Sequence, residues 1–341
     1  MSLPPSEIPS GAMRFNSDSQ KLEYWNGSAW FQVHTATPNL ASAGDVSVGA
    51  RGLFGGGMDS TPSNEVNTID YINISSTGNA QDFGDLTQAR DFITGTSSNT
   101  RGVWFAGVNP GVAGVNQIDY VEMSSTGNAV DWGVNQPTSQ RNHGGVGNRT
   151  RGIFAGTSGT NVIQLITISS AGTIQDFGDL IVASNGGAGI NSPVRGVFAG
   201  GDTPGNINTM QFITITTTGN SQDFGDLTVG TGQNSMGNIS NSVRGVTGGG
   251  QAPGDTNHID YITFATTGNS ANFGDLTVAR RQLGACGSVV RGVFGGGYVS
   301  PATRNEMDYI IISTEGNAVD FGDLSQARRG LSGCSTGHGG L

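Results

Sequence analysis

The sequence predicts an all-β propeller, a ring of small four-stranded sheets, from three observations. Every unit contains short apolar and β-branched runs separated by Gly, Asn and Ser turns, without a helical period. The unit begins with Arg-Gly, apolar residues and a glycine-rich end, and the starts are 50, 50, 44, 49 and 47 residues apart, a spacing typical of propeller repeats. Six starts are present: Arg51, Arg101, Arg151, Arg195, Arg244 and Arg291.

Each repeat predicts four strands. The Arg-Gly strand is followed by a Tyr-bearing strand (69–72 in the first repeat), a Ser-Thr-Gly-Asn turn and an Asp-Phe-Gly-Asp-Leu segment. Gly and Asn supply the backbone conformations that a tight hairpin needs. A strand of small residues, such as 94–98, comes last and suits the innermost position, where sheets crowd around the axis. Phe83 and Tyr71 are expected to fill the layer between sheets.

This order of motifs resembles the kelch repeat over residues 51–328. Kelch repeats usually have Trp where this chain has Phe, and Trp132 alone keeps the tryptophan. The third and fourth repeats depart further, since their second strand reads Gln164-Leu165 and Gln211-Phe212 instead of Asp-Tyr. The resemblance implies a kelch-like β-propeller.

The number of blades follows from counting strands. The small-residue strand is expected seven times, around 41–49, 90–98, 140–148, 183–191, 230–241, 280–288 and 328–336. The other strands occur six times, so the count favours seven blades, with 328–336 pairing with three N-terminal strands at 12–15, 21–25 and 29–34. On this prediction residues 1–40 supply those strands and 41–341 the six repeats. The alternative is six blades and a separate N-terminal hairpin module.

The N-terminal segment carries a second resemblance. Residues 11–16 (GAMRFN) and 22–30 (LEYWNGSAW) resemble a short module of bacteriophage tail-fibre and other virion proteins. The repeated Thr-Gly-Asn-Ala and Asp-Phe-Gly-Asp-Leu motifs resemble virion structural proteins of phages that infect cyanobacteria. The resemblance implies a non-enzymatic, tail-associated virion protein, oligomeric in the particle and acting in host attachment or subunit contact. A lectin-like carbohydrate-binding propeller and a capsid decoration protein are the alternatives.

Charge and composition restrict the partners. The net charge is −10, and 15 of the 16 basic residues are Arg, mostly at repeated positions. A nucleic-acid binder usually has a basic patch, so nucleic acid is not expected as a partner. No apolar run reaches the ~20 residues of a membrane helix, so membrane insertion is not expected. The N-terminus lacks the features of a signal peptide, which predicts synthesis in a host cytoplasm before assembly into the virion.

Reactive side chains do not form a catalytic pattern in the sequence. The histidines His34, His143, His258 and His338 fall at unrelated repeat positions, so no enzyme activity, cofactor or metal is predicted. Cys286 and Cys334 occupy the same place in successive repeats and are expected to be buried, with a disulfide as the alternative.

The two aspartates of each Asp-Phe-Gly-Asp-Leu segment have two possible roles. Asp82 and Asp85 could bind Ca²⁺, but turn capping or pairing with the Arg that follows Ala, as at Arg90 and Arg280, is the favoured interpretation.

The segment after Gly-Gly varies most between repeats and predicts a contact rim. It follows the same strand in every blade, so these loops should lie on one face, which is often the binding face of a repeat protein. Their Asn, Thr and Ser content suits hydrogen bonding to a host glycan, a receptor or another virion protein, although neutral drift explains such variation equally well. The candidate residues are Asn64, Asn109, Asn161, Asn206, Asn257, Tyr298 and Arg304.

Overall fold

The computed structural model describes most of the chain and divides it into two compact units, Met1–Val46 and Ser47–Leu341. Every regular element in the described ranges is a β-strand, and no helix there is long and apolar enough to cross a membrane. The described residues are 8–16, 21–32, 50–59, 64–111, 114–136, 141, 144–157, 160–202, 205–231, 236–251 and 253–341.

The first unit contains an antiparallel three-stranded sheet of β1 (Met13–Asn16), β2 (Lys21–Trp25) and β3 (Trp30–Gln32). The turn before β3 is built on Asn26, whose Oδ1 accepts hydrogen bonds from the amides of Ser28 and Ala29 at 2.9 and 2.8 Å. Arg14 lies 2.9 Å from a Glu23 carboxylate oxygen and 4.2 Å above the centre of the Trp30 ring.

The described residues of the second unit form six antiparallel four-stranded sheets, and we number them in chain order. Sheet 1 consists of β4 (Arg51–Gly55), β5 (Thr68–Asn73), β6 (Gln81–Asp85) and the last strand of the chain, β29 (Ser332–Ser335). Sheet 2 consists of β7 (Thr94–Ser97), β8 (Arg101–Phe105), β9 (Ile118–Glu122) and β10 (Val130–Asp131). Sheet 3 consists of β11 (Gly144–Gly147), β12 (Arg151–Thr157), β13 (Thr160–Thr167) and β14 (Gln175–Asp179).

The remaining sheets follow the same order. Sheet 4 consists of β15 (Ala188–Asn191), β16 (Arg195–Ala199), β17 (Ile207–Thr214) and β18 (Gln222–Thr231). Sheet 5 consists of β19 (Gly237–Ser240), β20 (Arg244–Gly248), β21 (His258–Thr263) and β22 (Ala271–Asp275). Sheet 6 consists of β23 (Gly284–Gly287), β24 (Arg291–Gly295), β27 (Glu306–Ile311) and β28 (Val319–Asp323), and a small hairpin, β25 (Tyr298–Val299) and β26 (Ala302–Thr303), interrupts it.

The small-residue strands pack against one another at one edge of each sheet. They contact in the order β29, β7, β11, β15, β19, β23 and again β29. A Cβ added to Gly95 would lie 2.7 Å from the Gly333 carbonyl oxygen, and one added to Gly145 would lie 2.7 Å from that of Gly95. Because real Cβ atoms do not approach so closely, only glycine fits at these positions.

Aromatic and aliphatic side chains fill the spaces between neighbouring sheets. Phe83 is buried with Leu53, Trp104 and Val121, which come from sheets 1 and 2. Tyr71 packs against this cluster, with its ring centre 6.2 Å from that of Phe83 in an edge-to-face arrangement. The predicted place of these two aromatic rings between sheets is therefore confirmed.

The arginine that opens each repeat links its sheet to the next. Its Nη1 donates a hydrogen bond to a backbone carbonyl just beyond the third strand of the following sheet, and sheet 6 links to sheet 1 in the same way. The six donor and acceptor pairs are Arg51 and Met123, Arg101 and Ile168, Arg151 and Ile215, Arg195 and Phe264, Arg244 and Ile312, and Arg291 and Ile74.

The predicted pairing of residues 328–336 with the N-terminal strands is wrong. β29 pairs with β4, in a register that sets Ser332 opposite Gly55 and Ser335 opposite Gly52, whereas β1, β2 and β3 form a sheet of their own. The sequence count assigned the inner strand of the first repeat to 41–49, which lies outside the described residues. Every other Arg-Gly strand pairs with the small-residue strand that precedes it. β4 instead pairs with the small-residue strand from the other end of the second unit, so no strand is left over for a seventh four-stranded sheet among the described residues.

The residues after β29 lie against the inner strands. His338 is half-buried, and its Nε2 lies 2.7 Å from the Ser97 carbonyl oxygen of β7. Its Nδ1 accepts a hydrogen bond from the Gly340 amide at 3.1 Å. Burial lowers the pKa of His338 to about 4, so the ring is neutral at pH 7 and donates through Nε2.

Deleting residues 328–341 is expected to unfold or aggregate the second unit, because β4 would become an unpaired strand edge. Thermal melting and light scattering of the purified variant measure this. Deleting residues 1–32 is the matched control and should leave the main melting transition unchanged. Equal destabilisation by the two deletions would instead support a closing sheet that contains both termini.

Candidate contact surface

The Arg-Gly strands all end, and the strands that follow them all begin, at the same end of the six sheets. The inner strands are in matching register around the cycle, since Gly95 lies against Gly333 and Gly145 against Gly95. We call this end the loop face. The segments that connect these strands in sheets 1 to 6 are 56–67, 106–117, 158–159, 200–206, 249–257 and 296–305. Within them, residues 60–63, 112–113, 158–159, 203–204 and 252 lie outside the described residues.

A buried arginine holds the base of the loop in sheet 1. Arg328 Nη1 donates hydrogen bonds to the carbonyl oxygens of Gly56 and Thr68, at 3.0 and 2.6 Å. These two residues are the first residue of the loop and the first residue after it. Arg328 Nη2 donates to Asp70 Oδ2 at 3.0 Å, and both side chains are completely buried. One guanidinium therefore joins both ends of the loop to strand β5.

The same arrangement recurs in sheet 2, and sheet 6 keeps the carboxylate bond and the bond to the residue that follows the loop. Arg90 Nη1 donates to the carbonyls of Ala106 and Gln117 at 2.7 and 2.8 Å, and Nη2 donates to Asp119 at 2.9 Å. Arg280 donates to the Glu306 carbonyl at 2.7 Å and to Asp308 at 3.0 Å. Burial lowers the pKa of Arg90, Arg280 and Arg328, and the partner carboxylates oppose this shift. A guanidinium stays charged in proteins, so each is a buried ion pair.

The acidic partner also holds the chain segment that enters the sheet. Asp119 Oδ1 accepts a hydrogen bond from the Thr87 hydroxyl at 2.6 Å, and Oδ2 accepts one from the Thr87 amide at 3.1 Å. Ser325 makes the same two bonds to Asp70, and Thr277 makes them to Asp308. The carboxylate oxygens are thus satisfied on both sides, as a buried charge requires.

Among the described residues, sheets 3, 4 and 5 show no arginine–aspartate pair at this position, and their loops are shorter. In sheet 4, Ser184 stands at the arginine position and Gln211 at the aspartate position, where its amide bonds to the backbone of Val182. Sheet 3 has Gln164 at the aspartate position, and sheet 5 has Asp260 bonded to His258 and Thr228. The three longest loops, 56–67, 106–117 and 296–305, are those with an Arg–Asp pair at their base.

The seven predicted rim residues have different roles in the structure. Asn64 is exposed and donates to Asp59, and Asn109 is half-buried and donates to Gln88. The prediction that Asn161 lies in a rim loop is wrong, because this residue lies within strand β13. Its backbone carbonyl accepts the Leu180 amide, and the Asn257 carbonyl accepts the Leu276 amide in the same way. These two asparagines therefore mark a repeated backbone contact within the sheet.

The other three predicted residues make contacts on the loop face itself. Asn206 of sheet 4 donates through Nδ2 to the Gln251 carbonyl in the loop of sheet 5, at 2.7 Å. Arg304 lies 3.4 Å from a Glu306 carboxylate oxygen. Tyr298 begins the small hairpin of sheet 6 and pairs through its backbone with Arg281.

Two arginines lie against the ring of Tyr298. The guanidinium carbons of Arg281 and Arg329 are 5.0 and 4.6 Å from the ring centre. Arg281 also forms an ion pair with Asp255 at 2.6 Å, which comes from the loop of sheet 5. Cation–π contacts and an ion pair thus join three neighbouring sheets on the loop face around one aromatic side chain.

Asp91 is an unusual buried acid beside these residues. Its side chain is fully buried, and neither carboxylate oxygen has a hydrogen-bond partner among the described residues. Burial, and secondarily the charge of Glu65, raises the pKa of Asp91 to about 7, against the opposing charges of Arg329 and Arg141. The same position is occupied by Asn185 in sheet 4 and by Arg281 and Arg329 in sheets 6 and 1.

The described residues contain no group of three or more His, Cys, Asp or Glu side chains that could hold a metal ion. His34 and His143 lie outside the described residues. Cys286 and Cys334 are buried free thiols, and burial raises the pKa of each. The expected pairing of Arg90 and Arg280 with the Asp-Phe-Gly-Asp-Leu carboxylates is wrong, because both bind the aspartate of the Tyr-bearing strand.

The asparagine of the Ser-Thr-Gly-Asn turn has a role that the sequence analysis missed. Asn128 Oδ1 accepts the Asp85 amide of the preceding sheet at 3.1 Å, while the Gly127 amide donates to the Phe83 carbonyl. The same contact recurs four more times, at Asn220, Asn269, Asn317 and Asn79. The sequence does contain a signal for this contact, because the Ser-Thr-Gly-Asn turn and the Asp-Phe-Gly-Asp segment recur together.

No family model matches the chain, and no curated protein matches it significantly. The assignment of a contact surface therefore depends on geometry alone. Its three observations are the arginine–aspartate pairs at the bases of loops, the hydrogen bond from Asn206 to Gln251 between two loops, and the Tyr298 ring between two arginines.

Replacing Arg328 with Met should destabilise the fold by about 3–5 kcal/mol, because Asp70 would remain as a buried, unpaired charge. The double variant R328S/D70Q copies Ser184 and Gln211 of sheet 4 and should recover most of the loss. Urea denaturation measures both. If the double variant is as unstable as the single one, the loss does not come from the unpaired carboxylate.

The Asp91→Asn variant, which copies Asn185, should be more stable than the wild type at pH 8. The raised pKa of Asp91 favours its protonated form in the fold, so its contribution is fully present below the ordinary value near 3.8 and is lost as the pH rises through about 7. The advantage of the variant should therefore shrink towards pH 4. Melting temperatures across this range test it, and an advantage independent of pH would contradict the assignment.

Proposed function

We propose that the six four-stranded sheets are the blades of one closed, kelch-like, six-bladed propeller. The support is the order of the contacts: inner strands and inter-sheet arginine bonds both proceed from sheet 1 to sheet 6 and back to sheet 1. The pairing of β29 with β4 would then join the two ends of the ring within one blade. A ring closed in this way removes two exposed sheet edges.

We propose further that the protein is a non-enzymatic structural protein of a bacteriophage virion, tail-associated, and that the loop face contacts the host surface or a neighbouring subunit. The resemblance of residues 11–16 and 22–30 to a virion-protein module supports the virion assignment. The loop geometry supports the contact role. A clamped base lets the sequence between its ends vary without disturbing the blade, which is how binding loops on rigid scaffolds are built.

The observation that carries the contact role is the group around Tyr298. An aromatic ring, two guanidinium groups and exposed amides such as Asn206 offer hydrogen bonds and apolar surface together. Arginine and tyrosine are enriched where protein surfaces bind partners. Host glycans and protein subunits both suit this chemistry, and the net charge of −10 does not favour an acidic polymer such as nucleic acid.

Replacing loops 58–67 and 298–305 with short Gly-Ser turns should leave the blades folded and weaken attachment or assembly. The clamp residues Arg328, Asp70, Arg280 and Asp308 lie outside both exchanged segments. Virions carrying the exchange are assayed for assembly by electron microscopy and for adsorption to host cells, after mass spectrometry has located the protein in purified particles.

The control is V194S/V243S, two exposed valines at turns on the opposite end of the sheets, which should not change assembly or adsorption. Normal assembly and adsorption of the loop exchange would contradict the contact role of the loop face. Binding of the purified protein to a glycan array, with no protein found in virions, would favour the lectin-like alternative.

A further inference from the structure

Five of the six boundaries between neighbouring sheets have the same set of three hydrogen bonds at their outer side, which we call the outer clasp. The turn of one sheet donates two amides to the outer strand of the preceding sheet and accepts an amide from it. Between sheets 1 and 2, the Gly127 amide bonds to the Phe83 carbonyl, Asn128 Oδ1 to the Asp85 amide, and the Ala129 amide to the Asp85 carbonyl. The amide donors at the other four boundaries are Gly219 and Ser221, Gly268 and Ser270, Gly316 and Ala318, and Gly78 and Ala80.

The boundary between sheets 2 and 3 lacks all three bonds. The corresponding turn residues are Gly172, Thr173 and Ile174, and the corresponding outer strand continues from Trp132 to Val134; all of them are described. No hydrogen bond joins the two segments. Thr173 stands where the other turns have Asn, and Val134 stands where the other outer strands have Asp, so both sides have changed together.

The backbone separation differs in the same place. A Cβ added to Gly84, Gly178 or Gly322 would lie within 2.6 Å of the next sheet's turn backbone. A Cβ added to Gly133, their counterpart, would meet nothing within 4 Å. The outer strand β10 is also the shortest outer strand, with two residues. Val134 and Ile174 are half-buried and pack against the apolar cluster between sheets 2 and 3. These apolar contacts stand where the other boundaries have the polar clasp.

Buried polar groups near this boundary are also left without partners. Trp132 Nε1, both amide atoms of Gln136 and Gln164 Oε1 are buried with no hydrogen bond among the described residues. The counterparts of Gln164 in other sheets, such as Asp119 and Gln211, are all bonded. Buried groups without hydrogen bonds favour the open state, in which water satisfies them.

The inner half of the boundary keeps its contacts. Arg101 Nη1 bonds to the Ile168 carbonyl at 3.2 Å, and the rings of Phe105 and Phe154 have centres 4.2 Å apart. The inner strands β7 and β11 contact as their counterparts do. Loss of contact would therefore begin at the outside of this boundary.

We propose that the boundary between sheets 2 and 3 is a built-in opening point, at which the outer strand of sheet 2 separates from the turn of sheet 3 while the inner strands remain together. The difference is confined to one boundary of six, so the other five give an internal comparison. The inference concerns the folded chain and does not depend on the proposed virion role.

Native-state hydrogen exchange of the full chain tests this directly. The Gly172 and Ile174 amides should exchange roughly tenfold faster, or more, than Gly127 and Ala129, since only the latter are bonded across a boundary. Equal protection of the turn amides at all six boundaries would overturn the proposal.

Two variants make the test reciprocal. Asn128→Thr copies Thr173 into the boundary between sheets 1 and 2, and should raise exchange of Gly127 and Ala129 towards the rates of Gly172 and Ile174. The reverse change replaces the six residues 131–136 by the five residues Asp-Phe-Gly-Asp-Leu, which removes one residue, and residues 172–174 by Gly-Asn-Ala. It should slow exchange at this boundary. If the reverse variant does not fold, Asn128→Thr still decides: unchanged exchange at Gly127 and Ala129 would contradict the role of the clasp.

Discussion

The three longest loops of the loop face have a buried guanidinium at their base, bonded to a carboxylate and to a backbone carbonyl at or next to the loop. In sheets 1 and 2 the guanidinium bonds to both ends of the loop. Burying two charges costs several kcal/mol each, and their attraction repays this only when further hydrogen bonds satisfy both groups. In the Arg328–Asp70 pair, backbone carbonyls accept the remaining Nη hydrogen bonds and Ser325 supplies the remaining carboxylate bonds, while Arg328 Nε is buried without a partner among the described residues. Such a pair contributes a fixed geometry more than net stability. Its presence under the three longest loops agrees with this role.

The packing of the sheets has a different physical basis. At the inner strands, glycines such as Gly95 and Gly145 allow backbone to lie directly against backbone. Farther out, apolar side chains such as Phe83 and Trp104 fill the widening space between sheets. At the outside, turn residues bond to the preceding sheet. Each layer is matched to the distance between neighbouring sheets, and the outermost layer is the one that varies between boundaries.

Much of this arrangement could be predicted from the sequence. The repeats gave the strand order, the small-residue edge and the interlayer aromatic rings, because glycine, β-branched and aromatic positions have strong local meanings. The partner of Arg90 could not be assigned in the same way. Several aspartates recur in each repeat, and only the fold shows that Asp119 is near. The substitution of Gln164 and Gln211 for aspartate was a usable signal, since it occurs in repeats without the Ala-Arg motif.

The pairing of the last strand was mispredicted for a related reason. Counting strands assumes that each inner strand belongs to its own repeat, whereas β29 pairs with β4, more than 270 residues earlier in the chain. Long-range pairing of this kind is set by the closing geometry and has no local signature. The role of Asn161 was missed similarly, because the shortened loop of sheet 3 placed it within a strand.

An experimental structure of the full chain at side-chain resolution tests the account most directly. The account predicts six four-stranded sheets around one axis, with Ser332–Ser335 beside Arg51–Gly55 and the Arg328 guanidinium bonded to Asp70 and to the carbonyls of Gly56 and Thr68. A seventh sheet that joins residues 13–32 to the C-terminal strand, or an Arg328 side chain directed to solvent, would contradict it.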